Sequence, residues 1–299
     1  MNESELRGTG DHDPDSIDVA WIGTEVGGAL AHGNALVEEL FAEIRDWNRA
    51  NPVTMRASVD PGATSVTFVV EPFDEPPLWR WGQKVGDALH NWRRMLDTLA
   101  LDLSNRYRER QLNSSQRGSI KFPLYDSPAE FDAACASSRH WLSALDEEHQ
   151  ERLRYTQPFN TGNPQDSALR WLQVLDNRRK HQGGFSLRRV LDHAEGFLFM
   201  ALEDAEGEDM GVPESAIHRL SWEKTLVVQL PVVHVGAPGV HSARATEPVP
   251  TALRIIRDQH HEADMENMVL ALSEQLVATV TLVYTGVRLP WTGQHEVDS

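Results

Sequence analysis

The stretch VGDALHNWRRMLDTLALDL, residues 85–103, sets His90, Asn91, Arg93, Arg94 and Asp97 within two helical turns. On a helix His90, Arg94 and Asp97 fall at i, i+4 and i+7 and form one polar stripe, while Arg93 and Asp97 make an i, i+4 pair. Such a set could do proton-transfer chemistry. The imidazole changes charge near neutral pH, Asp97 would orient it, and an arginine would hold an anionic group. The same side chains could equally form a polar network that pins the helix to its neighbours, with Arg93 or Arg94 bridging to another element, and that is the commoner use of such residues.

A second set, Asn177, Arg178, Arg179, Lys180 and His181, closes the stretch LQVLDNRRKHQ. Cations at a helix C-terminus are favoured by the macrodipole and can satisfy its last carbonyls, which accounts for most such clusters. If Lys180 and His181 instead faced the His90 stripe across a cleft, the two sets would build an anion site. The catalytic candidates are then His90, Arg94, Asp97 and His181, and the ligand-binding candidates are Asn177, Lys180 and Arg93. The densest set of metal-ligand types is His260, His261, Glu262 and Asp264. Adjacent histidines rarely chelate one ion without a third ligand, and Asp264 reads as the cap of the last helix, so no metal is expected. With no Walker loop, no Gly-x-Gly-x-x-Gly after a strand, no Gly-x-Ser-x-Gly and no His-Glu-x-x-His, no cofactor is expected either.

The elements that must position these groups are legible from their periods. Val85, Leu89, Trp92, Leu96, Leu99 and Leu103 alternate at spacings of four and three, an apolar helix face. Leu36, Leu40, Ile44 and Trp47 mark a helix ending before Pro52. VTMRASV (53–59) and SVTFVVE (65–71), joined by Asp60-Pro61-Gly62-Ala63, read as a β-hairpin. Residues 104–126 show no period and read as a long exposed connection. Ser127-Pro128-x-Glu130 starts a helix to about Ser138, a second lies near 141–154, and a third runs from Pro164 to Gly183-Gly184 with Leu169, Leu172 and Leu175 inward. GFLFMAL (196–202), TLVVQLPVVHV (225–235) and TALRIIR (251–257) are strands. The last helix, 263–287, turns Met268, Leu272, Leu276, Thr279 and Val283 to one side. Helices and strands come in runs, so the fold class is α+β: a bundle-like helical core from residues 29–49, 77–182 and 263–287, flanked by antiparallel β-hairpins.

GDALHNWRRMLDTLA resembles a segment of the form GDALHNLRSALDHLA, and FPLYDSPAEF, QPF at 157–159 and LQVLDNRRKHQ are similar to FPIFDSPEEF, QPY and L..L.NIDKHR. The order matches a family of bacterial proteins common in actinobacteria, over roughly residues 75–185, and the resemblance implies no known activity. Thr98 stands where the family pattern has His, and Arg179-Lys180-His181-Gln182 where it has Asp-Lys-His-Arg. The first departure removes the helix-borne Arg, four residues, His spacing that marks HEPN-type ribonucleases. Elsewhere an Arg and a His with four to six residues between them occur as Arg7 with His12, Arg188 with His193, and Arg254 with His260 or His261, about as often as chance gives.

The whole chain bounds the remaining readings. Its 299 residues carry a formal charge of −17, which disfavours a general nucleic-acid surface. One cysteine, Cys135, excludes a disulfide framework, and the N-terminus lacks a secretory signal, so a cytoplasmic protein without a membrane span is expected. Residues 1–16 read as a disordered acidic tail, 17–290 as a single α+β domain and 291–299 as a C-terminal tail. Trp79 and Trp81, two apart, point to different faces, and one of them suits an interface, so homodimerisation is the partner expectation beside an unknown ligand. The function expected is a non-catalytic binding or structural protein; the alternative is a HEPN-like ribonuclease or nucleic-acid-acting protein of bacterial defence.

Overall fold

The computed structural model describes residues 24–62, 65–70, 74–107, 112–182, 186–191, 200–203, 217–219, 232–236, 239, 241–245, 251–258 and 261–289. The fold is α+β, a helical core with small antiparallel sheets. Residues 17–290, read from the sequence as one domain, contribute to two compact units. One comprises Met1–Val37, Lys84–Gly184 and Asn267–Ser299, the other Glu38–Gln83 and Phe185–Glu266. The division passes through the long helices α1 (Glu25–Ala50) and α2 (Leu78–Tyr107).

The first unit is helical. Here α1 buries Val26, Leu30, Gly33 and Val37, while Leu36, expected on the buried stripe, is only half-buried because the helix begins earlier and its apolar face is rotated. Gly33 is required by close approach: a Cβ there would lie 2.4 Å from Cδ1 of the fully buried Trp92. The indole Nε1 of Trp92 donates to Asn34 Oδ1 at 3.1 Å. On α2 all six residues of the expected stripe, Val85 to Leu103, are buried. The core is completed by α7 (Met265–Thr285), whose Met268, Leu272, Leu276, Thr279 and Val283 are buried as their spacing predicts. By length and composition α7 could cross a membrane, but 61% of its apolar window is buried inside the protein, as in a core helix.

Between α2 and α6 (Ala168–Gln182) lie α3 (Ser114–Ser119), α4 (Pro128–Ala136) and α5 (Glu147–Tyr155), with short 3-10 turns at Trp141–Ala144, Pro158–Asn160 and Pro164–Asp166. The segment expected to be an exposed connection is not one. Leu112, Ile120, Phe122 and Leu124 are buried, and α3 carries a reciprocal capping box between Asn113 and Gln116. The Ser127 hydroxyl accepts from Glu130 N at 3.3 Å and starts α4, with Pro128 in the first turn.

In the second unit β1 (Met55–Val59) and β2 (Ser65–Val70) form the expected hairpin, with Val59 opposite Val66 and Asp60 N donating to Ser65 O across the turn. The sheet continues antiparallel in the order β1-β2-β6-β5, where β5 is Ile217–Arg219 and β6 is Val232–Gly236. A second sheet has the order β3-β8-β9, with β3 at Ser186–Leu191, β8 at Thr251–Ile256 and β9 at Glu262–Asp264. A third pairs β4 (Met200–Glu203) with β7 (Ser242–Ala245). Residues 196–199 and 225–231, expected in strands, lie outside the described residues, as do 1–16 and 291–299. Here Trp81 is buried against Trp47 in an edge-to-face contact at 5.7 Å, while Trp79 is 77% exposed, so the two tryptophans do face different ways.

Candidate functional site

Within the helical unit a cleft of about 300 Å³ opens where α2, the segment around α3 and the end of α6 meet. It is lined by His90, Arg93, Arg94, Asp97, Thr98 and Leu101 of α2, by Arg117, Ile120 and Lys121, and by Lys180. Helical geometry explains the selection on α2, since positions 90, 93, 94, 97, 98 and 101 are the spacings of one face. Arg117 is held near the cleft by the α3 cap and by its own Nε, which donates to Leu112 O at 3.3 Å.

Two carboxylates organise the cations. Asp97 accepts from Phe122 N at 3.0 Å and from Lys121 Nζ at 3.0 Å, and it forms an ion pair with Arg93 at 3.1 Å. The second partner of Arg93 is Phe122 O at 3.1 Å, so Arg93 and Asp97 together clasp the Phe122 backbone. Arg93 is the bridging arginine. Its guanidinium is not fully used: Nη1 is buried with no hydrogen-bond partner, a deficit worth about 1–3 kcal/mol. Arg94 is mostly exposed and its nearest acid is Glu25 at 3.8 Å.

The carboxylate that orients His90 is not Asp97 but Asp176 of α6. Its Oδ1 lies 3.0 Å from His90 Nδ1, and its side chain is 1% exposed. Its other oxygen accepts from Lys180 Nζ, one helical turn on. An ionised carboxylate only accepts, so in this hydrogen bond Nδ1 of His90 is the donor. Asp97 was assigned that orienting role from the helix stripe alone. Asp97 is instead drawn to the 120–122 segment because the Phe122 N–H and Lys121 offer it closer donors. The signal for Asp176 lay in its place four residues after Leu172, on the inward face of α6, where an acid needs a reason to be buried.

Asn177 is exposed and does not line the cleft. Arg179 pairs with Asp87 of α2, so the cationic end of α6 is spent on side-chain carboxylates as well as on the helix dipole. The His181 side chain lies outside the described residues. His260 also lies outside them, His261 pairs with Asp258 at 2.8 Å, and no group of three metal-ligating residues occurs among the described residues.

The segments around Phe122, Gln157 and Asp176 share one frame. Phe122 is clasped by α2, Tyr125 N donates to Gln157 Oε1 at 3.0 Å, Asp126 meets Arg170 at 3.0 Å, and Asp176 meets His90. Burial pushes the Tyr125 phenol above its usual value and lowers the His140 imidazole beside it, disfavouring the charged form of each. No protein-family model, no curated protein and no solved structure matches the chain.

Proposed function

We propose that the chain is a cytoplasmic binding protein whose cleft takes an anionic, phosphate-type ligand. One observation carries this reading. In a protein of net charge −17, Arg93, Arg94, Arg117, Lys121 and Lys180 converge on one opening, where the only lining carboxylate among the described residues is Asp97. A concave setting focuses the field of such charges relative to a flat surface. The unsatisfied Arg93 Nη1 adds a buried donor beside the same opening.

The test is thermal stabilisation by inorganic phosphate and pyrophosphate. A saturable rise in melting temperature that Arg117→Glu and Lys180→Glu abolish supports the reading; no response to either anion refutes it.

A second reading keeps the cleft but adds chemistry. The His90 imidazole, held by Asp176 through Nδ1 and lining the cleft, suits a general base acting on RNA, the nuclease alternative. Against it stand Thr98 in place of the HEPN histidine and the pairing of the neighbouring cations. Cleavage of a single-stranded RNA that His90→Ala and His181→Ala both abolish would establish it.

A further inference from the structure

Three places in the described molecule could bear a site: the cleft, the Tyr107–His149–Asp146 cluster, and the exposed Trp79. The second is a helix cap, because Asp146 accepts from His149 N at 2.8 Å to start α5. Nothing shows what would cover Trp79. The cleft carries a statement about its ligand that goes beyond its sign of charge.

Several cations outside the cleft are paired. In the helical unit Arg106, Arg152, Arg154, Arg170 and Arg179 each have a carboxylate within 4.0 Å: Asp102, Glu148, Asp132, Asp126 and Asp87. Five cations line the cleft with one carboxylate, Asp97, while Asp176 pairs with Lys180 and Glu25 lies 3.8 Å from Arg94, so these cations exceed the carboxylates that meet them by two. That is the charge of a terminal phosphate, whereas a diester carries one negative charge per phosphorus.

The lining is also two-sided. Leu101, Ile120 and the methyl-bearing Thr98 form an apolar portion beside the cations. About 300 Å³ is the lower end of small-ligand sites and exceeds what a bare inorganic ion fills. We infer that the cleft binds a small phosphate monoester, its dianionic phosphate among Arg93, Arg117, Lys121 and Lys180 and its apolar body over Leu101 and Ile120. This rests on the anion-binding reading above and narrows it to one ligand class.

Calorimetric titration of the full chain with phenyl phosphate, diphenyl phosphate and inorganic phosphate separates the two. Phenyl phosphate should bind about tenfold or more tighter than inorganic phosphate, the gain expected for burying one ring, and tighter than the diester. Leu101→Ser should remove most of that preference, and Arg117→Ala, on an exposed helix, should weaken phenyl and inorganic phosphate by the same factor. Equal binding of phenyl and inorganic phosphate overturns the monoester inference and leaves the anion reading standing. Diphenyl phosphate binding as tightly as phenyl phosphate overturns the dianion argument. Failure of all three to bind overturns both.

Discussion

Replacing Asp97 by alanine separates a structural carboxylate from a surface one. The side chain supports three neighbours of unequal exposure. Lys121 is 61% exposed and returns to water when released, at a cost of less than about 1 kcal/mol. The Phe122 N–H, part-buried, loses its acceptor at 3.0 Å, worth about 1.5–3 kcal/mol for a bond to a charged group. Arg93, 8% exposed, is left with Phe122 O alone, although Nη1 is already without a partner. A buried charge deprived of its counter-ion costs roughly 3–5 kcal/mol, and since these contributions overlap the expected total is also about 3–5 kcal/mol. Urea denaturation followed by circular dichroism measures it. Asp97→Asn keeps an acceptor for Phe122 N and should recover about half the loss. The double variant Arg93→Met/Asp97→Leu removes both charges and should cost less than the sum of the single changes by about 1–3 kcal/mol. A loss below about 1 kcal/mol for Asp97→Ala would refute the clasp.

Other outcomes follow from the geometry. His140 Nδ1 accepts from Leu142 N at 3.3 Å to start a 3-10 turn, and burial lowers its pKa below the model-peptide value of 6.5. Because the folded value is depressed, the contribution of His140 is complete above about pH 6.5 and is lost as pH falls towards the folded value; His140→Gln should flatten that part of the stability profile. Gly33→Ala, which in an open helix would stabilise by up to about 1 kcal/mol, should here destabilise by about 1–3 kcal/mol, since the new Cβ meets the buried Trp92 ring; an unchanged melting temperature would contradict the close approach. The Tyr284 hydroxyl donates to Asp102 Oδ2 at 2.9 Å, and burial followed by that carboxylate pushes its pKa well above the usual tyrosine value. Tyr284→Phe should therefore cost about 1 kcal/mol by urea denaturation, with no new titration appearing up to pH about 10.

What could be read from sequence and what could not divides along a physical line. Helices with a regular apolar face announced themselves, because Val85 to Leu103 and Met268 to Val283 repeat at the helical period and are buried for that reason. The 112–125 segment did not, because its buried residues are fixed by side chain to backbone bonds from Arg93, Asp97 and Gln157 rather than by a repeating element. The same distinction governs the site. Spacing correctly put His90, Arg93, Arg94 and Asp97 on neighbouring turns, yet it could not choose which acid meets the imidazole, since that depends on how α6 lies against α2. Within one helix, Asp97 can reach Arg93 at i−4 but lies seven residues from His90; a partner on a facing helix is the shorter route. Asp176 supplies it from an inward position among Leu172 and Leu175, where the burial of a carboxylate is offset by the His90 and Lys180 donors at the cleft edge. The chemistry of the cleft is thus a property of two helices together, and the acid that defines it was visible in the sequence only as a polar residue on an apolar face.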